Sequence, residues 1–323
     1  MMIKNVNSYN SIQLFLIAFT FSILLTHFFS NLVLQDLGSY ALMFEETPFF
    51  LDLFNYKFKY YNWTGVYGEW GYVFLMSIFK SFGFDFFEFR YIIIFLVVLL
   101  NVIWFHSLGV SLYYALPAYF LLNFGNDISL LRNGLAVVCL SWAFIFYNKF
   151  KMMKTSILLL LVGTSFHISV IIGIVFFGTR YLILFTLIFF AFFFNNISNI
   201  EDLVLGKLSR FYNLQGYDVG FMRFTVFFSL LTLISYSYWR IKYWNRLIDT
   251  DLRLFDRSFF ISLFATFSLI LFSFSQYLSD RLWGIGSIFI LGLFSFICSK
   301  IRPNIILKLL YMLLIIVGID LVY

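Results

Sequence analysis

Charge is what this chain has least of. Only 12% of its 323 residues are Asp, Glu, Lys or Arg, about half the share of an ordinary soluble domain. So little charge excludes a soluble globular protein, whose surface needs polar groups facing water. Proline numbers three and glycine 18, which excludes collagen, flexible linkers and extended disorder. The two cysteines, Cys139 and Cys298, sit in apolar runs without CxxC or Cys/His spacing, so no structural metal site is indicated. No repeat of fixed period exists, and a duplicated transporter architecture is therefore not indicated. The net charge of +6 is not gathered into a Lys/Arg stripe on a soluble domain, so nucleic acid is not an expected partner.

What is present is apolar and aromatic. Hydrophobic residues make up 62% of the chain and aromatics 24%, with 48 Phe, and the mean hydropathy is +0.92. The composition predicts an all-α, polytopic integral membrane protein, a single membrane domain over residues 1–323 with about 10–12 transmembrane or re-entrant helices. Apolar runs at 12–34, 89–107, 110–127, 129–147, 181–196, 222–239, 258–276, 282–299 and 304–320 read as spans. The first lacks a cleavage site, so it reads as a membrane helix and not as a signal peptide. Residues 69–83 carry Lys80, are short and amphipathic, and suit an interfacial helix. Residues 155–179 read either as one long span or as two half-helices broken near Ser165-Phe166-His167.

Sidedness follows from the basic residues, which resist translocation near span ends. Two segments are strongly basic: Lys149, Lys151 and Lys154, and the run Arg240, Lys242, Arg246, Arg253 and Arg257. Both fall inside only if 69–83 does not cross and 155–179 turns back at His167. That topology places Lys4, Arg180, Lys300, Arg302 and Lys308 inside as well, against Asp249, Asp251 and Asp256. The outer segments are then about 35–88 and 197–221, and one membrane level collects Asp36, Tyr40, Glu69, Arg132, His167, Asp280 and Arg281. Charged groups in such surroundings cost ~2.5–3.5 kcal/mol on insertion scales and usually mark function.

These residues occur in an ordered set of motifs. Gln35-Asp36-Leu37-Gly38-Ser39-Tyr40 follows the first span and opens a long aromatic loop to residue 68 (Phe49, Phe50, Phe54, Tyr56, Tyr60, Tyr61, Trp63, Tyr67). Glu69-Trp70-Gly71-Tyr72 starts the amphipathic helix, and Leu131-Arg132-Asn133-Gly134-Leu135-Ala136 starts a span. Thr164-Ser165-Phe166-His167-Ile168-Ser169 lies at the expected turn, and Asp280-Arg281 opens a later span. The series D-x-x-x-Y, E-x-G-Y, R-[polar]-G-L-A, a basic segment and F-H-x-S resembles the EpsG-like family of bacterial polysaccharide polymerases, which includes O-antigen polymerases of the Wzy type. The resemblance covers roughly residues 30–180. Trp70 stands where the family often has Pro, and Asn133 where it often has Gln.

The resemblance implies a GT-C-like membrane glycosyltransferase. It would transfer an undecaprenyl-pyrophosphate-linked glycan to a second lipid-linked repeat unit at the periplasmic face of the bacterial inner membrane. Its partners would be those lipid-linked oligosaccharides, membrane lipids and, among proteins, a chain-length regulator; no cofactor is implied. A pyrophosphate leaving group needs fixed cations, and the planar guanidinium binds phosphate bidentately. Arg132 and Arg281 fit that role, each near a helix start whose free N–H groups add positive potential. Asp36, Glu69 and His167 have the chemistry to activate or orient the acceptor hydroxyl. Tyr40, Tyr72 and Asn133 are candidates for glycan contacts. No paired acidic motif lies outside, so the transfer is expected to be metal-independent.

Structural readings stand beside each of these. Arg132 also suits a snorkelling anchor, Arg281 a local pair with Asp280, and His167 a hydrogen-bonded turn. Asp36 and Glu69 suit helix-end acids, and Tyr40 an interface tyrosine. Residues 197–221 could lie over the site as a lid or acceptor-binding element. Two rival functions are a membrane O-acyltransferase of the same glycans, which needs polar motifs on the inner face, and a glycolipid flippase, which needs charge along a path between both faces.

Overall fold

A computed structural model of the chain describes residues 9–28, 37–53, 70–120, 122, 131–167, 170, 219–242, 250–271 and 276–300. Among them there are ten α-helices and no strand. The chain divides into two compact units, residues 1–171 and 172–323.

Among the described residues the first unit shows seven helices: α1 (Ser11–Phe28), α2 (Leu37–Glu46), α3 (Trp70–Ser81), α4 (Phe86–Ser107), α5 (Leu112–Tyr119), α6 (Leu131–Asn148) and α7 (Met153–Phe166). Its axis is α4. Asp85 starts α4 with a capping box: its carboxylate accepts from Glu88 N at 2.8 Å, and Glu88 Oε2 accepts from Asp85 N at 2.9 Å. The helix therefore begins earlier than its apolar run at 89, because the two acids satisfy the free N–H groups of the first turn. Its 22 residues give a length of about 33 Å, enough to cross hydrocarbon about 30 Å thick. Among the described helices it alone is long and apolar enough to cross a membrane by that criterion. It packs on α1, α2, α5 and α6.

The other boundaries have local causes. α2 replaces part of the loop expected over 35–68, because Tyr40 and Phe44 recur at helical spacing and both are buried. It stops before Thr47-Pro48, since the residue preceding proline is pushed out of helical geometry. α3 has 12 residues, a length of about 18 Å. Gly83, at φ +85°, lets the chain turn sharply after it. α5 carries Pro117 inside and is described only to Phe120, with Leu122 beyond.

α6 and α7 form the closest helix pair of this unit, an antiparallel hairpin. Ser156 Oγ donates to Ala143 O at 2.8 Å. Gly163 sits so close to α6 that a Cβ there would lie 2.9 Å from Cys139 Cβ and 3.3 Å from Ala136 O. α7 ends at Phe166, and His167 adopts an extended conformation with φ −155° and ψ 123°. The helical break expected near Ser165-Phe166-His167 is thus present; residues 171–196 lie outside the described part.

The second unit holds α8 (Val219–Lys242), α9 (Thr250–Leu271) and α10 (Gln276–Lys300). α10 is buried at every position from Trp283 to Cys298. Gly286 lets it approach α9, since a Cβ there would overlap the Ala265 methyl. Phe255 and Phe296 stack at 4.0 Å, and Phe228 meets Phe294 at 4.9 Å. α9 begins at Thr250, eight residues before the apolar run at 258, because Leu252, Leu254 and Phe255 are buried while Arg253 is exposed. Asp256 accepts from Arg240 Nε at 2.9 Å, from Arg240 Nη2 at 3.1 Å and from the Tyr236 hydroxyl at 2.8 Å, tying α8 to α9.

Large apolar side chains stand exposed along α1 (Ile12, Leu16, Ile23, Leu24), α7 (Leu158, Leu161) and α8 (Ile234, Ile241). Such stripes on helices whose other faces are packed fit a membrane protein, in which lipid covers the outward face.

Candidate functional site

The site grows from the way α3 holds α2. Lys80 Nζ donates to Phe44 O at 3.3 Å, to Thr47 O at 2.7 Å and to Glu45 O, so one ammonium closes the carboxyl end of α2. A cation there meets the free carbonyls and the negative end of the helix dipole. Burial pulls the Lys80 pKa below its ordinary value, and the Glu45 carboxylate opposes that shift. Ser77 Oγ donates to Pro48 O at 2.7 Å, and Phe50 N donates to Ser81 Oγ at 2.7 Å. Pinned in this way, α2 lays Tyr40 across Tyr72 of α3, with ring centroids 5.8 Å apart. Phe44 packs on Phe89 of α4 at 5.3 Å, and Tyr72 reaches the same Phe89 at 5.8 Å.

Arg132, in the first turn of α6, comes to this aromatic platform. Its guanidinium carbon lies 5.1 Å from the centre of the Tyr40 ring, and its Nε donates to the Tyr40 hydroxyl at 3.2 Å. The quadrupole of the ring attracts the cation, while the hydrogen bond sets the direction of the fork. The side chain is half-buried.

The F-H-x-S segment arrives from the opposite direction. Gly71 faces Ser165 so closely that a Cβ there would overlap the Ser165 hydroxyl and lie 3.1 Å from Phe166 Cδ1. The antiparallel register of α6 and α7, set by Ser156 with Ala143 and Gly163 with Ala136, brings His167 level with Arg132. His167 is 3% exposed and its backbone closes the last turn of α7 by donating to Gly163 O at 2.9 Å. Four motifs far apart in sequence thus meet at one end of the first unit: Tyr40, Gly71-Tyr72, Arg132-Asn133 and Ser165-Phe166-His167.

Among the described residues at this end, the Tyr72 hydroxyl and Asn133 Oδ1 are buried without a hydrogen-bond partner. A buried polar group without a partner costs about 1–3 kcal/mol, so each is a place where a ligand group would be welcome. Burial, with a smaller push from Tyr40, raises the Tyr72 pKa well above its ordinary value. At neutral pH its hydroxyl therefore keeps its proton and can donate.

Three sequence candidates are not described at this site. Asp36 and Glu69 fall outside the described residues, each one position before a helix, α2 and α3 respectively. Arg281 lies in the second turn of α10, with its side chain outside the described part, and belongs to the second unit. Residues 54–69 and most of 197–221 are likewise outside it. The sequence reading passed over Ser165 as a packing partner and Lys80 as a helix cap. Gly71 carried the signal for the first, since a glycine early in an amphipathic helix indicates a close neighbour. No local pattern signalled the second, because the carbonyls that Lys80 caps lie more than thirty residues away.

With this geometry in view, comparison with known families is decisive. The family model for EpsG matches residues 12–323, nearly the whole chain. The protein belongs to the EpsG family. Members of this family are similar to polymerases of the Wzy type, so this EpsG-family protein is a membrane protein with a glycosyltransferase-like polymerase function in polysaccharide biosynthesis. No curated protein and no solved structure matches it significantly. The match to the EpsG family also takes in the second half of the chain, where the resemblance rested only on hydropathy and the Asp280-Arg281 start.

Proposed function

We propose that this protein is an O-antigen polymerase, or the polymerase of a closely related surface polysaccharide. It works as a multi-pass, GT-C-like glycosyltransferase of the bacterial inner membrane with its site facing the periplasm. The donor is an undecaprenyl-pyrophosphate-linked glycan and the acceptor a second lipid-linked repeat unit. The observation that carries this reading is Arg132 held over Tyr40, beside two buried polar atoms without partners.

In the transfer, the acceptor hydroxyl oxygen bonds to the anomeric carbon while the bond from that carbon to pyrophosphate breaks. The electron pair leaves with the pyrophosphate oxygen, and the hydroxyl proton passes to a base. Arg132 offsets the charge that builds on the leaving group, which a preorganised cation does at little reorganisation cost. His167, level with it, or Asp36 or Glu69 at the neighbouring helix starts, takes the proton. Tyr72 and Asn133 offer a donor and an acceptor to sugar hydroxyls, and Tyr40 offers a ring face. The arginine cations fill the part that a metal plays in other transferases.

The test replaces Arg132 by Ala in a strain lacking its own copy of the protein, with membrane insertion checked by immunoblot. Long polysaccharide chains are expected to vanish while lipid-linked single units accumulate. Normal ladder length on a lipopolysaccharide gel would sink the assignment. Purified protein given only lipid-linked repeat units should yield polymer, whereas an acyltransferase needs an added acyl donor and a flippase gives no chemistry.

A further inference from the structure

Arg90 is the buried cation that the site described above does not use. It lies one turn inside α4, past the Asp85–Glu88 cap, and is 7% exposed. Most of the side chain is thus packed against protein, not spread along lipid. Its Nε has no hydrogen bond. The acids nearest in sequence, Asp85 and Glu88, are engaged with each other's backbone. A largely buried arginine with no carboxylate bonded to it among the described residues weighs against folding, so its place calls for a charge supplied from outside.

Position points to the origin of that charge. α4 and α6 run in the same direction. Trp104 Nε1 donates to Ser141 O at 2.9 Å, Trp142 Nε1 to Leu100 O at 3.2 Å, and Lys149 Nζ to Ser107 O at 2.6 Å. Followed back toward the start of both helices, this register brings Arg90 level with the beginning of α6, where Arg132 and Asn133 stand. Its neighbour Phe89 packs on Tyr72 and on Phe44, whose helix carries Tyr40. Arg90 therefore enters the same end of the unit from the α4 side.

We propose that Arg90 is a second anion-binding residue of this site, which takes the phosphate groups of the lipid-linked pyrophosphate together with Arg132. The inference rests on the polymerase reading for the identity of the ligand. Two guanidinium groups from parallel helices suit a diphosphate, whose charge is spread over two phosphorus centres. One arginine cannot fork onto both. The residue is assigned to binding and not to proton transfer.

The test uses the full-length protein in neutral detergent, titrated with undecaprenyl pyrophosphate and, separately, with phosphatidylglycerol. Arg90→Met should weaken pyrophosphate-lipid binding about tenfold or more and leave phosphatidylglycerol binding unchanged. Its ligand-free melting temperature should equal or exceed that of the wild type, because an unpaired buried charge has gone; a purely structural arginine would lower it. Arg90→Gln carries the same comparison if the methionine variant does not fold. Unchanged affinity for the pyrophosphate lipid overturns the proposal, and equal loss for both lipids overturns it in favour of a headgroup contact. Wild-type protein that ignores the pyrophosphate lipid sinks the polymerase reading, and this inference with it. Tight wild-type binding with an indifferent Arg90 variant sinks this inference alone.

Discussion

Adding one methyl group at Gly71 should separate two motifs that the fold brings into contact. A Cβ at this position overlaps the Ser165 hydroxyl and comes within 3.0 Å of Ser165 Cβ and 3.1 Å of Phe166 Cδ1. Ordinary carbon contacts begin at ~3.5 Å, so rotating the hydroxyl away is not enough and the helices must part by roughly half an ångström. The hydroxyl also gives up its 2.7 Å bond to Val162 O. Overpacking of this kind costs ~1–3 kcal/mol, while replacing Gly by Ala in a helix returns at most ~1 kcal/mol. Because Gly71 is only the second residue of α3, the return is smaller, and a net loss of ~1–2 kcal/mol is expected. Activity should suffer more than stability. Tyr72 moves with α3 against Tyr40 and Arg132, and displacements near 1 Å can cost ~100-fold in rate. Gly71→Ala, Ser165→Gly and the double variant should be compared by thermal melting in detergent and by polymer yield from lipid-linked units. The double variant should recover much of both losses, with a coupling of ~1 kcal/mol or more. A Gly71→Ala protein with normal melting and normal polymer length, or a cycle without coupling, would refute the packing argument.

Two further perturbations probe the scaffold. Lys80→Met removes the ammonium that closes three carbonyls at the end of α2 and should lower stability by ~1–2 kcal/mol; limited proteolysis should then cut within 47–53 first, and an unchanged cleavage pattern would count against the cap. In the second unit, Asp256→Ala removes the acceptor that Arg240 and Tyr236 share. Because the pair is partly exposed, a loss of only ~1–2 kcal/mol is expected, seen as a lower melting temperature, with Tyr236→Phe milder; equal melting of both variants and wild type would refute the role.

Much of the site was readable as residues but not as an arrangement. Arg132 and His167 stood out because charge and imidazole are rare in this chain, and the apolar runs around them made their level in the membrane countable. Tyr40 falls in a stretch whose sequence reads as a long aromatic loop, where the structure has a helix. The helix there depends on Lys80, which comes from another segment and leaves no local pattern. Arg90 stands at the edge of an apolar run that starts at 89, although Asp85-x-x-Glu88 is a capping box. Moving the start of α4 back to Phe86 would have put Arg90 on the same buried stripe as Ile94 and Val97.

The amino-acid sequence by itself determined the class of this protein, because lipid solubility is a property of composition. It also determined the membership carried by ordered motifs, while the stretch 155–179 allowed either one long span or a break near Ser165-Phe166-His167. Only the tertiary structure decided which polar groups meet. The contact of Arg132 with Tyr40 spans 92 positions, and it exists because Lys80 fixes α2 and Gly71 lets α3 close on α7. Contacts of that separation are chosen by packing, which no local spacing encodes. The same packing decides that Arg90 faces protein and not lipid, turning one charge among many into a candidate for binding.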